Sequence, residues 1–118
     1  KQGHGVIVNM GWDLAVHGFQ GVNPQIFATA KSGVLGFTRS FAKTVGPMIR
    51  VNMVAPGWVE TAFAKNYMER TFYEDRIQEI PLGRFATPRD IAEAVLFLAS
   101  EESSYLAGES ININGGLI

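Results

Sequence analysis

The chain has 118 residues, enough for one domain, and its 47% apolar and 18% charged composition is that of a chain with a core rather than a disordered one. A net charge of −1 gives no field to draw it to nucleic acid or an anionic membrane, and the lack of cysteine excludes disulfides and thiolate metal sites. No apolar run is long enough to span a bilayer and no signal peptide is visible at the start, "KQGHG", so a cytoplasmic location is expected, and a first residue that is Lys1 rather than Met suggests a trimmed or partial product.

"GVIVNM" (5–10) is short, β-branched and almost wholly apolar, which predicts a strand covered on both faces, as in a parallel sheet. A loop with three glycines follows, "GWDLAVHGFQGV". The spacing then predicts a helix over 24–45: Asn23 suits the N-cap, Pro24 the first helical position and Gly46–Pro47 the stop. Phe27, Ala30, Val34, Phe37, Phe41 and Val45 repeat every three or four residues and form an apolar stripe. "IRVNMVAP" (49–56) is the second strand. The region 58–80 is irregularly amphipathic and reads as one or two short helices forming a mobile flap over a substrate region. "TPRDIAEAVLFLAS" carries strong helix signals, with Thr87 as N-cap, Pro88 next and Asp90 three after the cap. Its apolar stripe is Ile91, Ala94, Val95 and Leu98. "GESININGG" holds the third strand, where Ile111 and Ile113 alternate with polar neighbours.

Strands separated by helices predict an α/β fold with right-handed crossovers and a parallel sheet. A three-stranded sheet leaves at least one edge of unpaired amides on an apolar strand, which a partner chain or another part of the protein is expected to cover.

The stretches "GVIVNM", "FATAKSGVLGFTRSFAKTVGPMIRVNMVAPGWVET" and "IPLGRFATPRDIAEAVLFLASEESSYLAGESININGG" resemble, in order and spacing, the C-terminal half of the short-chain dehydrogenase/reductase family. The similarity covers almost the whole chain, and members of the 3-oxoacyl-acyl-carrier-protein reductase type look most alike. The resemblance implies a single partial domain over 1–118, the fifth, sixth and seventh strands of a doubly wound Rossmann-type sheet. The N-terminal nucleotide-binding half is absent, and with it the glycine-rich turn that approaches the cofactor phosphates. No substitute is present: Gly33 and Gly36 lie inside a helix, and Gly3 and Gly5 precede a strand.

The family's chemistry uses a phenol, a lysine and a serine. The phenol's ordinary pKa near 10 is too high for its task, and a nearby ammonium lowers it. The spacing "YxxxK" puts both on one helix face. Here the matching residues are Phe27-Ala28-Thr29-Ala30-Lys31, so the lysine is kept and the proton donor is gone. The resemblance also implies that Lys31 holds the nicotinamide ribose. Gly11 and Trp12 fall at the serine position, and residues 9 to 28 contain no Ser or Thr. Asp13 and His17 are the candidate substitutes. Asp13 is ionised at neutral pH unless burial raises its pKa, and its simpler role is to cap a loop or pair with a cation. A loop histidine such as His17 is more often on the surface. Tyr67 and Tyr73 are expected to pack within the flap. His4 and His17 show no metal-ligand spacing, so no metal is expected.

"APGWVET" matches the turn that binds the nicotinamide carboxamide in the family. By resemblance Pro56, Gly57, Val59 and Thr61 bind cofactor, with no choice between NAD and NADP. Gly33 and Gly36 each cost roughly 1 kcal/mol against alanine in a helix, which calls for close backbone approach. In the family the corresponding helix packs between subunits, implying a homo-oligomer through helix 24–45 with Phe37 and Phe41 as contributors. The functional expectation is an NAD(P)-dependent oxidoreductase by ancestry, impaired or inactive as this chain. The alternative is a non-catalytic scaffold or small-molecule-binding module that acts through oligomerisation, and a third option is a non-redox enzyme using Lys31 with Asp13 or His17.

Overall fold

The computed structural model describes residues 2–118. Three strands, β1 (Gly5–Met10), β2 (Ile49–Pro56) and β3 (Ser110–Ile113), form one parallel sheet in the order β1-β2-β3. Gly5 pairs with Ile49 and Met10 with Val54, and Met53 with Ser110 and Pro56 with Ile113. Helix α1 (Pro24–Val45) links the first two strands. Helices α2 (Ala62–Asn66), α3 (Arg70–Glu79) and α4 (Pro88–Ala99) follow β2. The flap expected at 58–80 is thus two short helices.

The central strand is the one covered on both faces. Val51, Asn52, Met53, Val54 and Ala55 are all buried. Asn52 is tolerated there because its amide donates to Leu106 O at 2.9 Å and its carbonyl accepts from Glu109 N at 3.0 Å. β1 departs from expectation: it lies at the sheet's edge, and Val6 and Met10 are exposed. Its apolar composition has no second cover within the described residues.

Helix α4 packs as its stripe predicts, with Ile91 and Leu98 buried against Val54 and Ala94 and Val95 beside them. Truncating a fully buried leucine such as Leu98 to alanine costs about 2–5 kcal/mol. The N-terminus of α4 is a complete capping box: Asp90 N donates to Thr87 Oγ1 at 3.2 Å and Thr87 N donates to Asp90 Oδ2 at 2.7 Å.

Helix α1 corrects two expectations. Asn23 does stand at the N-cap, but its φ of 64° is left-handed and its side chain makes no capping bond, so Pro24 alone shapes the start. The sheet-facing residues are Lys31, Leu35, Thr38 and Ala42, whereas Phe27 is 49% and Phe37 54% exposed. Phe37 therefore points away from the sheet, where it stacks on Phe41 at 5.0 Å, while Phe27 lies on the Lys31 face, its ring centre 5.6 Å from Lys31 Nζ. A Cβ added at Gly33 or Gly36 would meet nothing within 4 Å, so no close approach inside the chain accounts for these glycines.

What fixes α1 against β1 is polar. Asn9 Nδ2 donates to Thr38 Oγ1 at 3.0 Å, and Thr38 Oγ1 donates to Val34 O at 2.8 Å. Thr38 is fully buried. Lys31 lies two turns back on the same face, so this anchor carries Lys31 over the end of β1.

Candidate functional site

In a parallel sheet the chain leaves every strand at the same edge, and free backbone groups collect there. Here the segments after β1, β2 and β3 meet at that edge. Lys31 Nζ donates to Met10 O, the last residue of β1, at 3.1 Å. An ammonium has three N–H donors, so this bond anchors the side chain and leaves donors for a ligand. Its nitrogen lies 5.6 Å from the centre of the Phe27 ring, so the one-turn spacing does bring Phe27 and Lys31 together.

Trp12 closes the other side of Phe27. Their ring centres are 4.9 Å apart at 63°, an edge-to-face contact. Gly11 is held by its N–H to Val54 O at 2.7 Å, and a Cβ there would fall 2.5 Å from Met53 Cε. A side chain at position 11 therefore requires Met53 to move. Neither Gly11 nor Trp12 brings a hydroxyl to Phe27.

Asp13 is buried, and it forms no ion pair among the described residues. Asn114 Nδ2 donates to its Oδ2 at 3.2 Å, while Oδ1 is buried without a partner among the described residues. Desolvation pushes the carboxyl pKa above the ordinary aspartate value, opposed by the Asn114 hydrogen bond. His17 is exposed, as expected of a loop histidine, yet shares with Trp12, Asp13, Lys31, Arg39 and Asn112 the lining of a cleft of about 190 Å³. His4 is exposed, and no cluster of metal-ligating side chains exists among the described residues.

Gly57 sits against Asp13 and Asn114. A Cβ there would lie 2.8 Å from Asn114 Cβ and 3.0 Å from Asp13 Oδ2, and its N–H donates to Ile113 O at 3.0 Å. Pro56 and Gly57 are thus locked to the end of β3. Val59 lies farther along, in an isolated bridge with Ala86 that uses Trp58 O and Glu60 N rather than the Val59 N–H. Thr61 caps α2, its hydroxyl oxygen accepting from Ala64 N at 3.2 Å while its O–H remains a donor. Among the described residues, Lys31, Val59 and Thr61 each keep an N–H or O–H group able to donate to a ligand.

The flap tyrosines divide. Tyr73 packs on Phe85 at 4.4 Å between ring centres and donates to Glu60 Oε1 at 3.2 Å, whereas Tyr67 is 77% exposed and touches Phe63. The sequence reading passed over Asn114, although "NGG" directly after a strand was its signal. It also passed over Phe19 and Trp58, whose rings meet at 5.7 Å. A lone loop phenylalanine carries no signal of that kind.

A family model described as enoyl-(acyl carrier protein) reductase matches residues 1–118. The 3-oxoacyl-[acyl-carrier-protein] reductase of Thermotoga maritima is 44% identical over 119 residues, spanning 100% of this chain and 47% of that protein. Its counterpart from Aquifex aeolicus is also 44% identical, over 99% of this chain and 46% of its own length. The chain thus spans about half the length of the curated relatives it matches. Among solved structures, a short-chain dehydrogenase/reductase from Brucella melitensis, titled as a glucose/ribitol dehydrogenase, superposes with a TM-score of 0.87 at 29% identity, over 96% of this chain and 45% of that one. A 3-oxoacyl-[acyl-carrier protein] reductase from the same organism also gives 0.87, at 30% identity, over 94% and 41%.

Proposed function

We propose a function from one premise: this chain belongs to the short-chain dehydrogenase/reductase family. It keeps the nicotinamide-facing end of an NAD(P) site and lacks the proton donor, so it is an oxidoreductase relative impaired or inactive in carbonyl and hydroxyl redox chemistry. The carrying observation is the trio at the end of β1: Lys31 anchored on Met10 O, with the Phe27 ring and the Trp12 indole where the family's pattern has a phenol and a serine.

A bound nicotinamide would supply or accept hydride. Lys31 would donate to its ribose hydroxyls, and the Val59 amide and Thr61 hydroxyl to its carboxamide. Pro56 and Gly57 hold the start of that turn against β3. Phe27 has no exchangeable proton, and an indole N–H donates a hydrogen bond without transferring the proton at ordinary pH. Trp12 and Phe27 do no acid–base work. Losing such a donor costs about 10²–10⁴-fold in rate.

The outward stripe on α1 supports a second component, assembly with another copy of this chain. Phe37 is exposed beside the half-buried Phe41, and neither Gly33 nor Gly36 is approached by another part of the chain among the described residues. Titration with NADH and NADPH by calorimetry, beside an assay of NADPH oxidation with a 3-oxoacyl thioester, tests the reading. Binding without turnover is the expected result, and turnover would refute the loss of proton chemistry.

A further inference from the structure

Asn114 is followed by glycine, whereas Asn9, Asn23, Asn52, Asn66 and Asn112 are followed by Met10, Pro24, Met53, Tyr67 and Ile113. A side-chain amide is open to attack by the backbone nitrogen of the next residue, and glycine crowds that nitrogen least because it has no Cβ. The fold holds both members of this pair in place. Gly115 has a φ of 64°, and a Cβ there would lie 2.7 Å from Ile80 Cγ2. Asn114 donates from Nδ2 to Asp13 Oδ2 at 3.2 Å and packs beside Gly57.

The geometry favours the attack. Leu117 N donates to Asn114 O at 3.3 Å, closing a tight turn whose central glycines both have positive φ. Gly116 N donates to Asn114 Oδ1 at 3.2 Å, an Asx turn that folds the side chain back over the Gly115 peptide. That donor polarises the amide and stabilises the negative oxygen formed when its carbon is attacked. The Gly115 N–H makes no hydrogen bond among the described residues, so no acceptor holds the nucleophile away. Asn114 is half-buried and Gly116 exposed, which leaves the turn open to water.

We propose that Asn114 is a site of spontaneous deamidation that loosens the join at Asp13. Gly115 N forms a bond to Asn114 Cγ and gives up its proton to solvent. The Cγ–Nδ2 bond breaks as Nδ2 takes up a proton, and ammonia leaves a cyclic imide. Water adds to one of the two imide carbonyls and opens the ring, leaving aspartate or isoaspartate at position 114. Nothing is oxidised or reduced, and water is the co-reactant. A carboxylate then stands where an N–H donor met Asp13 Oδ2, and two carboxylates so close repel. The inference rests on the cofactor reading only in that Gly57 belongs to the candidate nicotinamide turn, and its test needs no NADH.

The folded chain is held in warm, mildly alkaline buffer and mapped by peptide mass spectrometry, with enzymatic methylation to detect isoaspartate. The peptide containing Asn114 should gain the mass of an amide-to-acid change, and the other five asparagines should stay intact. The anion-exchange fraction carrying the extra charge should have a lower urea midpoint than the unaged chain. Asn114→Asp should lower the midpoint in the wild-type background and lower it less beside Asp13→Asn, where the new carboxylate meets an amide. An intact Asn114 amide in the aged, folded chain, an unchanged midpoint in the charge-shifted fraction, or equal losses in both backgrounds overturns the proposal.

Discussion

The Asp13 carboxylate accepts a hydrogen bond from Asn114 at 3.2 Å across 101 positions of sequence, and Gly57 fits beneath the pair. The loop after β1, the turn after β2 and the turn after β3 are joined at this point. Lys31 reaches the same edge from α1. The candidate cofactor turn thus packs against a buried carboxyl.

Asp13 gives the fold a pH dependence with a defined sign. Burial raises its folded pKa above the ordinary 3.8. Between those two values the folded state binds more protons than the unfolded state. Its contribution is therefore fully present below 3.8 and is lost as pH rises through the folded value. Relative to Asp13→Asn, the wild type should gain stability as pH falls from 7 to 4. Urea midpoints of both proteins across that range check this, and a flat difference would contradict it.

Asp90 acts in the opposite direction. The Arg84 guanidinium, and then the Thr87 amide, hold its carboxyl well below the usual range. Its contribution is present above the ordinary 3.8 and is lost as pH falls toward the lowered value. Thr87→Ala removes the oxygen that accepts from Asp90 N and should cost about 1 kcal/mol. Chemical denaturation at neutral pH measures it.

The two kinds of glycine should behave oppositely. Gly57→Ala puts a methyl 2.8 Å from Asn114 Cβ and should destabilise by about 1–3 kcal/mol. Gly33→Ala and Gly36→Ala meet open space and should each stabilise the isolated chain by about 1 kcal/mol. If α1 packs against a second copy through these glycines, the same changes weaken assembly. Thermal melts read the first effect and sedimentation velocity the second.

Much of this was legible in the sequence. The capping box Thr87–Asp90, the break at Gly46–Pro47, the 24–45 helix and the parallel order of strands all followed from local chemistry. Pairing of Phe27 with Lys31 followed from helical spacing. The buried side of α1 did not, because its sheet-facing residues include Lys31 and Thr38, which are polar and take partners on β1 that helical periodicity does not reveal. Asp13 was equally hidden, since its partner lies at the far end of the chain. β1 read as a fully covered strand because composition records what a strand tolerates, not which neighbours it has.

Phe27→Tyr restores one of the missing groups. The introduced phenol should titrate below its usual 10, because Lys31 Nζ lies 5.6 Å from the ring centre. Carbonyl reduction should still be absent, since Trp12 leaves no hydroxyl beside it. Ultraviolet titration follows the phenol and NADPH oxidation the activity. Turnover in this single variant would mean that the Trp12 loop does not occupy the serine position.

The most direct test of a retained nicotinamide site without proton chemistry is a ¹H–¹⁵N titration of the chain with NADH, followed by the same titration of Lys31→Met. Saturable shifts confined to Gly57, Val59, Thr61 and the start of α1, lost in the variant, are the predicted result. Absence of shifts at these residues, or shifts that survive Lys31→Met unchanged, would contradict it.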